Sequence, residues 1–181
     1  MIRAALLTVA LTAPAQAADF EFCWVGANDY TMTGAMTVPD TALTGIVTQD
    51  DVIAFSITGF HRSLPIGRWD MSDLTSTTAW HLRFDPVGMT FPTGGIHNGP
   101  SGQAWNASGF VDDCGAPGFG FNSGTNARDL CVNGEFVTAS SISRYTDFPV
   151  FLAGATMQCG GAALLSWLPT QEVKVIRESA S

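Results

Sequence analysis

Apolar and polar residues alternate along much of this chain. Within residues 31–38, Met32, Met36 and Val38 fall on one face and Thr31, Thr33 and Thr37 on the other. Ile53, Phe55 and Ile57 alternate with Ala54, Ser56 and Thr58, and Trp80, Leu82 and Phe84 alternate with His81, Arg83 and Asp85. A period of two sends successive side chains to opposite faces of a strand, so each segment predicts a half-buried strand. Further strands are expected at residues 20–25, 66–71, 89–91, 104–111, 131–139, 150–157 and 173–177. Val, Ile, Thr, Phe and Trp concentrate there, and Gly, Pro, Asn and Asp fill the gaps.

Helical periodicity is nearly absent. Thr48 and Asp51 can cap one turn ahead of Val52, and residues 72–76 can form another. About ten short strands with turn signals predict an all-β fold, an antiparallel β-sandwich of jelly-roll type. There is no internal repeat and no linker, so residues 18–181 are expected to form a single β-sandwich domain. Two long irregular, glycine-rich segments interrupt it, at residues 93–103 and 112–134. Loops of that length in a compact domain usually carry function.

The first 17 residues follow a different logic. Arg3 provides a positive start, residues 4–11 an apolar stretch, and Ala15-Gln16-Ala17 a small-residue cleavage site. That is the pattern of a secretory signal peptide cut after Ala17. The expectation is a secreted or periplasmic protein with no membrane-spanning segment in its mature chain. Residues 148–169 carry no charge, but Pro149 and the pair Gly160-Gly161 suit two apolar strands better than a lipid-facing helix.

Export changes the meaning of the cysteines. Cys23, Cys114, Cys131 and Cys159 contain no C-x-x-C pair, so an oxidising compartment favours two disulfides over zinc. Of the three connectivities, Cys114–Cys131 and Cys23–Cys159 are preferred. The first closes a local loop, worth about 3 kcal/mol, and the second ties the chain ends, worth about 5 kcal/mol.

Charge narrows the partners. Sixteen Asp and Glu oppose eight Lys and Arg, a formal net charge of −8. This excludes the clustered basic surface that nucleic-acid binding requires. No G-x-S-x-G elbow or H-E-x-x-H motif is present. The adjacent pairs Asp50-Asp51 and Asp112-Asp113 point to opposite faces of an extended chain and cannot form a glycosidase dyad. A strand-borne pair such as Asp70 with Asp85 stays open. Asp112, Asp113, Asn122, Asn126 and Asp129 supply oxygen ligands of the type calcium takes, without calcium-loop spacing, so calcium is a minor alternative. No cofactor is expected.

The aromatic inventory is the remaining lead. Five tryptophans are many for this length, and core packing is their ordinary role. Trp105, beside Asn106 and the first glycine-rich loop, is read as able to stack on a sugar ring. Trp69, His81, Arg83 and Asp85 complete the expected ligand-binding set.

The stretch Gly45-Ile-Val-Thr-Gln-Asp-Asp-Val-Ile-Ala-Phe-Ser-Ile-Thr-Gly59, with Trp69-Asp-Met-Ser-Asp-Leu74 and Trp80-His-Leu-Arg-Phe-Asp85, resembles an uncharacterised family of exported bacterial β-rich proteins. Some members carry a C-terminal PEP-CTERM sorting segment, which the polar residues 172–181 do not match. The resemblance covers roughly residues 31–91 and implies a secreted β-rich protein, with no catalytic residues to carry over. The leading expectation is a non-enzymatic envelope or extracellular binding module with a glycan or another envelope component as partner. A secreted polysaccharide hydrolase using paired carboxylates and a structural matrix component are the alternatives.

Overall fold

The computed structural model describes residues 16–97, 101–108, 114–124, 127–146, 148–155 and 157. These residues are all-β, with antiparallel pairing throughout the two large sheets and no α-helix. The first sheet has the order β13-β1-β2-β4-β5. Its strands are β1 (Ala17–Val25), β2 (Tyr30–Pro39), β4 (Ala54–His61), β5 (Leu64–Asp70) and β13 (Val150–Leu152). The second has the order β11-β10-β9-β8-β6, with β12 also on β10. It comprises β6 (Trp80–His81), β8 (Ala104–Trp105), β9 (Phe119–Ser123), β10 (Ala127–Val132), β11 (Glu135–Phe136) and β12 (Ile142–Ser143). A small third sheet joins β3 (Val47–Thr48) to β7 (Arg83–Phe84).

Alternation does place the core. Phe20, Phe22 and Trp24 of β1, Met32, Met36 and Val38 of β2, and Phe55 and Ile57 of β4 are all buried. They meet the second sheet ring to ring. Phe22 lies 5.4 Å from Trp105, Trp24 5.4 Å from Phe121 and Phe55 4.9 Å from Trp105, centroid to centroid. Offset and edge-on aromatic pairs at these separations add about 0.5–1.5 kcal/mol each beyond the area they bury.

One close approach fixes how the sheets seat. Gly59 of β4 and Gly67 of β5 are register partners, and Phe119 of β9 lies over both. A Cβ at Gly59 would come within 2.3 Å of the Phe119 ring, and one at Gly67 within 2.7 Å of the Phe119 Cβ and 2.8 Å of its ring. The paired glycines form a notch that only an absent side chain provides.

β9 is buried along its whole length, on both faces. Its second face lies against Asn106 and Ala107, whose atoms a Cβ at Gly120 would meet within 2.9 Å; Ala107 belongs to a small separate cluster with Cys114 and Cys131, with Phe136 packed against it. Cys114 and Cys131 are joined, as the sequence leads one to expect. Cys23 is buried; Cys159 lies outside the described residues, as do residues 173–177 and most of the uncharged stretch after residue 155.

Several expectations need correction. Ile53 is 58% exposed and precedes β4 rather than starting its inner face. Residues 80–85 do not form one strand: β6 pairs with β8, and β7 turns away to pair with β3. The break is stabilised by Gln103, almost wholly buried, whose side chain accepts from the Arg83 amide at 3.0 Å and donates to the Arg83 carbonyl at 2.9 Å. A side-chain amide thus substitutes for a strand neighbour. The strand expected at 104–111 stops after Trp105 because Asn106 takes a positive φ of 53°. Residues 131–139 form a hairpin, not one strand, with Asn133 and Gly134 at φ 52° and 82°.

The turn expected at residues 48–51 is present as a 3-10 turn with a reciprocal Thr48–Asp51 capping box. β1 begins at Ala17, which pairs with Pro39; residues 1–15 lie outside the described residues.

The glycine notch generates a direct test. Gly59→Ala should cost about 1–3 kcal/mol through overpacking against Phe119, read as a lowered urea midpoint. Val87→Ala, at an exposed loop position, should stay within about 0.5 kcal/mol of the parent.

Candidate functional site

The ligand-binding set expected from the sequence does not assemble as one surface. Trp105 is fully buried. Phe22, Phe55, Phe91, Phe121 and Phe148 surround its ring at centroid distances of 4.9–5.6 Å. No face of it is left for a sugar, and the expected stacking role is corrected to core packing. Trp69 is also buried, against Phe55 and Trp80. His81 is half-buried, and its Nδ1 donates to the Gly102 carbonyl at 2.6 Å, since a carbonyl can only accept. Arg83 lies on β7, in a different sheet from His81. The Asp85 carboxylate closes its own turn by accepting from the amides of Val87 and Gly88 at 2.9 and 3.0 Å.

Trp69 and Asn106 do share a cleft. It holds about 340 Å³ and opens between three segments. The first is the end of β5 with the following 3-10 turn Met71–Asp73, which brings Arg68, Trp69 and Asp73 to the rim. The second is the threonine turn of residues 75–78. The third is the disulfide loop of residues 114–118, with Phe119 behind it.

Each wall has a physical reason to hold its form. In the threonine turn, the Thr75 hydroxyl lies 3.1 Å from that of Thr77 and 3.0 Å from that of Thr78. The Thr75 amide donates to the Thr78 hydroxyl at 3.0 Å. Three hydroxyls bonded among themselves still keep lone pairs for an incoming donor. On the β5 side, the Asp70 carboxylate accepts from the amide and the hydroxyl of Ser72 at 3.0 and 2.8 Å, and from Arg68 at 3.1 Å. The Ser72 bonds, then Arg68, hold its carboxyl below the ordinary aspartate value.

The disulfide loop is held at both ends. The Asn106 side-chain amide donates to the carbonyls of Cys114 and Phe119 at 3.1 and 2.9 Å. Asparagine tolerates the left-handed backbone this requires. Gly118 and Asn133 exchange two bonds, at 2.9 and 3.2 Å. The Cys114–Cys131 bond then ties the loop to β10. Asn106 therefore shapes the cleft by holding its wall, a role different from ligand stacking beside Trp105. The threonine run carries no periodicity, and nothing in the sequence reading singled it out.

Of the calcium alternative, only two residues can be placed. Asp112, Asp113 and Asn126 lie outside the described residues. Asn122 and Asp129 are described, and the Asn122 amide donates to the Asp129 carboxylate, which also accepts from the Ser141 hydroxyl at 3.1 Å. Among the described residues no three His, Cys, Asp or Glu side chains gather as a metal site. Burial pushes the Asp129 carboxyl above its ordinary value, with the Ser141 and Asn122 bonds opposing the shift.

A second, open depression of about 270 Å³ crosses the outer face of the first sheet, where Asp19, Glu21 and Asp70 surround Ala35, Ala54, Ser56 and Ala153. Asp19 accepts a hydrogen bond from the Thr37 hydroxyl at 2.6 Å.

No protein-family model matches the chain, and neither the curated proteins nor the solved structures provide a match to it.

Two outcomes follow from this geometry. Replacing Cys114 and Cys131 with serine should lower unfolding free energy by about 3 kcal/mol, measured by urea titration. Asp129 binds its proton more tightly folded than unfolded, so its contribution to stability rises as pH falls through the folded pKa toward 3.8. Asp70 acts oppositely: its contribution is full above 3.8 and is lost as pH falls below that value. Melting temperature against pH should therefore lose its rise toward 3.8 in Asp129→Asn, and that variant should be at least as stable as the parent at neutral pH.

Proposed function

We propose that this chain is a secreted or periplasmic, non-enzymatic β-sandwich of jelly-roll type that binds glycans in the cleft between the threonine turn and the disulfide loop. The cleft carries the reading. A volume of about 340 Å³ suits one or two sugar units, and its lining offers hydroxyls, carbonyls and opposite charges with only the edge of an aromatic floor. Sugars are recognised by such converging polar groups, each of which must be matched when water is displaced.

Export is supported by the leader pattern of residues 1–17. In an oxidising compartment Cys114–Cys131 persists, and the pairing of Cys23 with Cys159 belongs to the same proposal. So does kinship with the exported bacterial β-rich family that residues 45–85 resemble.

The hydrolase alternative has less support. Asp19 and Glu21 are two residues apart on one face of β1, roughly 7 Å along the strand, within the span of a glycosidase pair. Asp19 is exposed, however, and the depression is open. It lacks the apolar enclosure by which enzymes keep a general acid protonated. A matrix role has no specific surface in its favour.

A glycan-array screen followed by calorimetric titration tests the proposal. The parent should bind at least one glycan class. Asp73→Ala should weaken it about tenfold, as loss of a hydrogen bond to a bound ligand does, with the melting temperature unchanged; Thr78→Val should weaken it at least as much, since it also removes the bonds that the Thr75 amide and hydroxyl make to Thr78 within the turn. Binding that is absent throughout, or indifferent to both substitutions, would reject the cleft as the site.

A further inference from the structure

We infer that Arg68 makes the cleft selective for glycans bearing carboxylates, the uronic-acid class, an inference that rests on the glycan reading of this cleft. The argument begins with the scarcity of cations. The chain has eight Lys and Arg against sixteen acids, and among the described residues Arg68 is the only basic one lining the cleft. Other arginines are engaged elsewhere. Arg62 pairs with Asp29, Arg128 is buried and donates to Thr93 and the Arg144 carbonyl, and Arg144 lies over Tyr145.

Arg68 is also oriented. Its Nη2 donates to Asp70, and Asp70 is in turn pinned by the amide and hydroxyl of Ser72. That bond uses one corner of the guanidinium, while the side chain remains 66% exposed. A planar guanidinium anchored at one nitrogen presents its other N–H groups in a fixed fork, the geometry that takes both oxygens of a carboxylate. Lysine has no such fork. The same cleft is lined by Thr75, Thr77 and Thr78, whose hydroxyls accept from or donate to the sugar's own hydroxyls.

The acidic remainder of the protein sharpens the class. Asp73 shares the cleft and the net charge is −8, so a densely sulfated chain meets repulsion over most of its length. A sugar chain whose carboxylates are single and spaced can seat one of them on Arg68 and keep the rest in solvent.

The test uses oligogalacturonate, its fully methyl-esterified form and heparin oligosaccharides, titrated calorimetrically against the full mature chain. The ester keeps the sugar and removes only the charge. The parent should bind the acid form at least about tenfold tighter than the ester, the usual worth of a charge-assisted hydrogen bond, and heparin more weakly than either. In Arg68→Gln the acid-to-ester ratio should fall to near one. In Arg68→Lys it should be intermediate. Equal affinity for acid and ester in the parent, a ratio that survives Arg68→Gln, tighter binding of heparin, or no binding of either galacturonate form would each overturn the inference. Failure of the glycan reading itself is separate: it is the absence of binding to neutral and acidic oligosaccharides alike, or binding unaffected by Thr78→Val.

Discussion

Contact between aromatic rings of the two sheets sets the position of nearly every other element. Trp105 stands at its centre, with Phe22 and Phe55 reaching it from the first sheet and Phe121 from its neighbour strand. Phe91 and Phe148 pack onto the same ring from residues outside the named strands. Large rigid rings give much buried area for little lost rotamer freedom, and they tolerate few arrangements. Because Phe119 must also enter the Gly59–Gly67 notch, β9 has little freedom to slide along the first sheet.

The cleft is a consequence of that seating. With β9 locked over β4 and β5, the loop that precedes it must leave the core beside the β5 edge. There Ala107, of the small cluster around Cys114 and Cys131, lies against the other face of β9. The loop cannot collapse onto the threonine turn, because Asn106 and Asn133 hold it by hydrogen bonds from its own side of the sheet. Gly118 permits the tight return, since a Cβ there would lie 1.8 Å from the Cys114 carbonyl oxygen. Rigid support on one side and hydroxyl-bearing turn on the other leave a polar opening that neither segment fills.

Buried polar groups explain where the regular strands stop. Gln103 serves the backbone of Arg83 and also donates to the Pro92 carbonyl at 3.0 Å. The Ser140 hydroxyl accepts from the Leu130 amide at 3.1 Å. Each supplies a hydrogen bond where a ladder ends, so an irregular segment can be buried without leaving its backbone unsatisfied. Such substitutions have no periodic signature, and the segment at residues 80–85 looks like one continuous strand for that reason.

Strand character, the inward faces of β2 and β4, the capped turn at residues 48–51 and the local cysteine pair were all legible, because each depends on residues a few positions apart. The Asn133-Gly134 hairpin was missed, although Asn-Gly is a strong hairpin signal, because the composition of residues 131–139 reads as one strand. The fate of the tryptophans was not legible. Trp105 and its polar neighbours Gln103 and Asn106 suggest an exposed ring, yet the partners that bury it come from residues 22, 55, 91, 121 and 148. The cleft was hidden likewise, since Arg68, Thr78 and Gly118 are brought together only by the pairing of β5 and the seating of β9. Local alternation determined which faces turn inward; long-range packing decided which side chains meet, because those contacts join segments whose separation no local pattern encodes.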